Sequence, residues 1–213
     1  MTKKQTRTAA GPRLDTRAVV RAALELLDDK GADAVSVRGT ADRLGVRMNT
    51  VLWHAKTKAR LLELMADAIV AEAPLDALPA AWDERVAELA RRYRRALLAH
   101  RDGAAIVTGT YAAEPATLAF AETMVGALLD GGLPAREAAW ACWTVLYFVL
   151  GLTQEEQAAT GTAADPERFT QALASAAGDF PSLGLAAPYL TDTSFEDRFA
   201  YGLSRILRSL PSD

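Results

Sequence analysis

The residues able to do chemistry are few and scattered. The two histidines, His54 and His100, stand far apart, and Cys142 is the single cysteine. A lone thiol makes neither an intrachain disulfide nor a thiolate metal cluster, and neither histidine sits in a cluster that could supply a metal site or a catalytic triad. The chain is therefore not expected to be an enzyme, and no metal or cofactor is expected. Contact with a polyanion is better supplied. Residues 1–60 hold 13 Lys and Arg against six acids, a net +7 that leaves −10 for the remainder of a chain of net charge −3. A basic lobe on an acidic body suits a nucleic-acid partner for the lobe alone. A solvated tail with ordinary surface charge would give the same count.

The stretch Val37–His54 separates the two readings. A helix-turn-helix needs a small residue where its helices cross, and Ala41 supplies it. It needs a turn-tolerant residue four positions on, met by Gly45, and a buried apolar residue on the second helix, met by Val51. Leu44 and Val46 complete a small core. The N-terminal part of that second helix faces base edges, which presents Arg47, Met48, Asn49 and Thr50. Asn can bond adenine through donor and acceptor together, and the methyl groups of Thr and Met can touch thymine methyls. Arg38, Lys56 and Lys58 flank the helix as phosphate contacts, which set register rather than sequence. His54 either donates to a phosphate or is a surface or half-buried histidine. Trp53 is expected to pack into the small core, the alternative being the sugar-phosphate backbone.

The elements that must position these residues are helical. Alanine and leucine dominate and β-branched alternation is scarce, with half of the 213 residues apolar. Residues 1–13 read as a flexible basic arm. A first helix runs from Asp15 or Thr16 to Lys30, with Gly31 at its C-cap. Ser36 caps a second through Leu44, and a third spans Met48 to His54. Thr57 caps a fourth, to Ala73, in which Leu61, Leu64, Met65, Ala68 and Ile69 share a face. Trp82 to His100 forms a fifth, residues 103–113 a short helix and loop, and Pro115 opens another helix that ends at Gly131-Gly132. From Pro134, in a first turn, to about Gln157 runs a helix apolar on nearly every face. Residues 158–193 are Gly-, Pro- and Ala-rich with one short helix, Asp165 to Ala177. Ser194 caps the last, Phe195 to Leu210, with Asp197 completing a weak capping box. No apolar run is long enough to span a membrane and no cleavable leader precedes the fold, so no membrane partner and a cytoplasmic setting are expected.

Residues 14–64, through LDTRAVVRAALELLDDKGADAVSVRGTADRLGV and LWHAKTKARLLELM, resemble the N-terminal domain of the tetracycline-repressor (TetR) family. The resemblance continues in ALLAHRDGA (Ala96–Ala104), Gly109-Thr110 and LGLTQEEQ (Leu150–Gln157), which look like the tetracycline repressors' own ligand-binding domain. It implies an all-α protein with a three-helix helix-turn-helix DNA-binding domain (14–60) and a helical ligand-binding and dimerisation domain (61–213). It also implies a homodimer joined by a four-helix bundle of the helices Pro134–Gln157 and Phe195–Leu210. The family's DNA contacts fall on Arg38, Met48, Asn49, Thr50, His54 and Lys58; where the family usually has Tyr, this chain has Leu52.

The implied pocket departs further. The family's drug-binding His falls near Pro74, its amide-bearing Asn on Leu89, and its magnesium-binding His on Val107. An aromatic is kept as Tyr93 and a carboxylate as Glu155. Without a donor at Val107 a hard cation loses its ligand there. Leu89, Val107, Met124, Cys142 and Leu146 are expected to line the site, with Tyr93, Thr110, Tyr111 and Thr123 as polar points. The same stripe could equally be packed core, and Trp140 and Trp143 could wall a pocket, fill one, or pack in the dimer bundle. The expected function is a repressor released from a palindromic double-stranded DNA operator by a small, largely apolar effector without metal. Ligand would shift Gly109-Thr110, push the fourth helix and change the spacing of the heads. A repressor with no small-molecule input, and a helical ligand-binding protein that never touches DNA, remain as alternatives.

Overall fold

The computed structural model describes residues 14–110, 112–160, 166–176, 178–191 and 194–210. Among them there are eleven α-helices, one 3-10 turn and no strand. The proposed basic arm, residues 1–13, lies outside the described residues.

The first three helices form the head. α1 (Thr16–Lys30) is capped by Asp15, whose carboxylate accepts from the Ala18 N–H, and a 3-10 turn (Ala32–Ala34) follows. α2 (Val37–Leu44) is capped by Ser36 and α3 (Met48–Ala55) begins after Arg47. Gly45 ends α2 at φ 65°, a left-handed conformation that carries a Cβ penalty in other residues. Gly39 serves close approach instead: a Cβ there would press on Leu26 and the Ala34 carbonyl, so its absence lets α2 lie against α1. Ala41 and Val51 are fully buried at the crossing of α2 and α3, with Leu44 and Val46 packed beside them. Arg43 locks α2 to α1 through Glu25 and Asp29.

The body is built from α4 (Lys58–Val70), α5 (Trp82–Leu98), α6 (Gly103–Val107), α7 (Pro115–Asp130), α8 (Ala135–Ala159), α9 (Pro166–Ala176), α10 (Pro181–Leu190) and α11 (Phe195–Ser209). Its core runs continuously into the head's through Leu61, Met65 and Ile69, the inward stripe of α4. α4 is pinned to the start of α7 twice. Arg60 pairs with Glu114, and Asp67 accepts from both the N–H and the hydroxyl of Thr117. α5, α8 and α11 share a partly buried ion network, Arg94 with Glu156 and Glu196.

Several boundaries differ from the sequence expectation. α4 stops at Val70, and Glu72 and Ala73 close it with tighter i−3 bonds to Ile69 and Val70. Pro134 takes the N-cap of α8 rather than its first turn. Where one short helix was expected within 158–193 there are two, because Pro181 sits at the tolerant first turn of α10 and only Pro188 falls inside it.

Candidate functional site

The head presents one polar face. Arg47, Met48 and Asn49 are exposed at the start of α3 and Thr50 is half-buried, while Val51 and Ala55 turn inward. Arg38 on α2, Lys56 after α3 and Lys58 at the start of α4 are all exposed. Among the described residues none of Arg38, Arg47 and Lys58 pairs with a carboxylate, whereas Arg43 and Arg60 are taken up by ion pairs. Open charge from Arg38, Arg47 and Lys58 therefore flanks α3.

Trp53 corrects an expectation. It is 71% exposed and does not enter the small core. Val51 and Ala55 hold the inward positions of α3, and a residue midway between them on a 3.6-residue period must point outward. Its ring meets His54 edge-on at 4.8 Å, and the Lys56 ammonium lies 5.8 Å from its centre. Lys56 adopts φ 63° at the centre of the tight turn that separates α3 from α4, closed by the Thr57 N–H donating to the Ala55 carbonyl. His54 is half-buried with Nδ1 3.3 Å from the Thr16 hydroxyl, which ties the end of α3 to the start of α1.

The expected ligand-lining residues divide. Leu89, Tyr93, Met124 and Cys142 are buried together in the core, and the Tyr93 ring lies tilted against Phe120 with centroids 5.2 Å apart. Burial, and then the neighbouring Cys142, push the Tyr93 phenol up; burial pushes the Cys142 thiol up to about 11. Val107 and Leu146 pack on this cluster half-buried. Thr123 is half-buried, its hydroxyl donating to the Ala119 carbonyl. Thr110 lines an open cleft of about 350 Å3 between α4 and α6, with Lys58, Leu62, Glu63 and Ile106. A second open cleft, of about 580 Å3, lies along α5 and contains none of the expected set. Tyr111 lies outside the described residues. Trp140 and Trp143 are exposed on α8, so they neither wall nor fill the interior cluster.

A magnesium chelate does not fit these groups. Val107 offers no donor, and Glu155, the carboxylate kept in sequence, is exposed on α8.

Two family profiles match the chain: "Bacterial regulatory proteins, tetR family" over residues 19–65, and "Tetracyclin repressor-like, C-terminal domain" over 74–211. This chain belongs to the TetR family. Among TetR relatives, the tetracycline repressor protein class C of Escherichia coli is 34% identical over 202 residues, covering 93% of this chain and 91% of that protein. The Streptomyces coelicolor TetR family protein ActR, solved in complex with actinorhodin, superposes with a TM-score of 0.84 at 29% identity, covering 94% of this chain and 96% of that one. BioQ, solved with its double-stranded DNA operator, superposes with a TM-score of 0.63 at 34% identity, covering 70% and 90%. As a TetR-family protein the chain is a transcriptional regulator of all-helical build.

Sequence reasoning missed the residues that join head to body. Asp102, at φ 56°, accepts from the Ala32 N–H at 2.8 Å, and His100 lies between Asp28 and Glu72. Both belong to the HRDGA motif, but their partners are remote in sequence. No helix of the described residues is long and apolar enough to cross a membrane.

Proposed function

We propose that the chain acts in the cytoplasm as a dimeric repressor, not an enzyme, that leaves a palindromic operator when a small, largely apolar molecule enters its body without metal. The head is residues 14–60 and the sensing and pairing unit is 61–213. The observation that carries this reading is the exposed set Arg47, Met48 and Asn49 at the start of α3, flanked by the open charges of Arg38, Lys56 and Lys58. Arg47, Met48, Asn49 and Thr50 face base edges, Arg38, Lys56 and Lys58 hold phosphates, and Trp53 and His54 lie along the backbone.

Pairing is supported by an exposed aromatic face on α8 and α11. Trp140, Trp143 and Tyr147 on α8 and Tyr201 on α11 are each 45% exposed or more. Exposed aromatic side chains of this kind mark an interface. The effector is apolar because the groups it would meet, Leu89, Val107, Met124, Cys142 and Leu146, are apolar. These residues are packed, so the effector opens its own cavity by parting α7 from α5 and α8, a minor conformation made dominant by binding.

Mobility shift of the full chain on its own upstream DNA, at two salt concentrations and with competitor, tests the operator half. Specific binding must survive competitor and weaken as salt rises. Thermal-shift screening against apolar metabolites and antibiotics tests the sensor half, since a ligand of the folded state raises its melting temperature. A chain that no such compound stabilises would be a repressor governed by other means.

A further inference from the structure

We propose that His100 is a positioning residue whose imidazolium clamps the DNA-binding head to the body, so that operator binding weakens when the ring loses a proton. The inference rests on the operator-binding reading. His100 follows the end of α5 and is only 9% exposed. Its Nδ1 lies 3.1 Å from both oxygens of Asp28 on α1, and its Nε2 lies 3.1 Å from Glu72, just past α4. One ring thus spans two carboxylates on two different elements.

The backbone around His100 is already fixed. Gln157 on α8 donates to the carbonyls of Leu97 and His100 and accepts from the Ala104 N–H. On the other side the Arg101 N–H donates to Asp28, and Asp102 accepts from the Ala32 N–H. The turn is therefore anchored to α8, and the imidazole carries that anchorage to α1 and to the end of α4. Both elements set the head: α1 packs on α2 and α3, and α4 leads directly out of α3.

An ionised carboxylate only accepts hydrogen bonds. The ring satisfies Asp28 and Glu72 together only with a proton on each nitrogen. A neutral ring turns a lone pair toward one of them, so that bond is replaced by repulsion. The charged groups against the ring are Asp28 from α1 and Glu72 after α4; Arg101 and Asp102 follow it in its own turn, and α8 contributes the neutral Gln157. Asp29, beside Asp28, is paired with Arg43. Deprotonation thus leaves Asp28 and Glu72 without their shared cation. A head released from one jaw samples more orientations, and the operator must remove that freedom on binding.

His54 and His100 are the chain's only histidines, which makes the test direct. Ring-nitrogen NMR of the full protein is recorded from pH about 6 to about 8. The His100 signals are assigned by their loss in His100→Gln. Mobility shifts on the operator are run in parallel for the parent, His100→Gln and Glu72→Gln. Glu72 is partly exposed, so its variant does not depend on tolerance of a core change. At the acid end both His100 nitrogens should carry protons. Across the range the parent's affinity should fall on the order of fivefold further than that of either variant, the low end of couplings between sites. Superimposable pH profiles, or a His100 ring with one proton throughout, would overturn the clamp. A chain that binds no duplex at any pH fails the operator reading instead, and the clamp then stands or falls on the NMR result alone.

Discussion

Arg94 offers a quantitative test of how the body is held together. Its guanidinium grips Glu156 of α8 through both oxygens, at 3.0 and 2.9 Å from Nη2, and reaches Glu196 of α11 through Nη1. It also lies 5.0 Å from the Phe199 ring. Burial opposes its charge, but the bonds to Glu196 and Glu156 outweigh burial and raise its pKa, so it stays a cation at every pH where the protein folds. The Arg94 side chain is 10% exposed, Glu156 20% and Glu196 72%. The Glu196 bond therefore faces solvent and contributes little. Removing the cation strands mainly Glu156. A fully buried carboxylate left unpaired costs about 3–5 kcal/mol, and the partial exposure of Glu156 lowers the expectation to about 2–3 kcal/mol. Arg94→Met keeps an apolar stem of similar length while removing the guanidinium from Glu156 and from the Phe199 ring. Urea denaturation at fixed protomer concentration should show that loss with an unchanged m-value. Adding Glu156→Gln removes the stranded charge and should restore about 1–2 kcal/mol, a positive coupling in the double-mutant cycle. A loss for Arg94→Met below about 1 kcal/mol, or strictly additive effects, would refute the reasoning.

Other expectations follow from buried groups. The Thr153 hydroxyl is fully buried and finds no partner among the described residues, so Thr153→Val should stabilise the fold by about 1 kcal/mol; destabilisation would reveal a hidden acceptor. Cys142, buried and with its pKa raised to about 11, should react with iodoacetamide near neutral pH at least about a hundredfold more slowly in the native protein than in urea. Fast labelling of the folded chain would contradict its packing. Trp140→Glu on the exposed face of α8 should shift the protein toward monomer in sedimentation equilibrium; a variant that sediments as the parent would place the interface elsewhere.

Local chemistry made much of this fold legible. Ser36, Thr57 and Ser194 each cap a helix where a hydroxyl precedes an apolar period, and Gly45 breaks α2 at the left-handed turn that its spacing from Ala41 demands. α10 was hidden because its prolines read as breakers, although Pro181 occupies the one turn that tolerates proline. Hydrophobicity alone puts Trp53 in the small core, but Val51 and Ala55 hold the inward face of α3 and the helical period turns Trp53 out. The head-to-body seam was invisible for a different reason. His100 meets Asp28 and Glu72, and Asp102 meets Ala32, only after α1, α4 and α5 have packed, and no local pattern encodes such pairings. The apolar lining set was named from sequence, but whether it lines a space or fills one is decided by packing, which buries Leu89 and Met124 completely.

The central claim is that the exposed start of α3 reads sequence while its flanking cations hold the backbone. Equilibrium binding of the full chain to its palindromic site and to single-base variants, at one fixed salt concentration, tests it most directly. Asn49→Ala should lose about 1–3 kcal/mol on the palindrome and become indifferent to one base pair per half-site, while Lys58→Ala should weaken all duplexes alike. An Asn49→Ala protein with the parent's affinity and base preference would contradict the account.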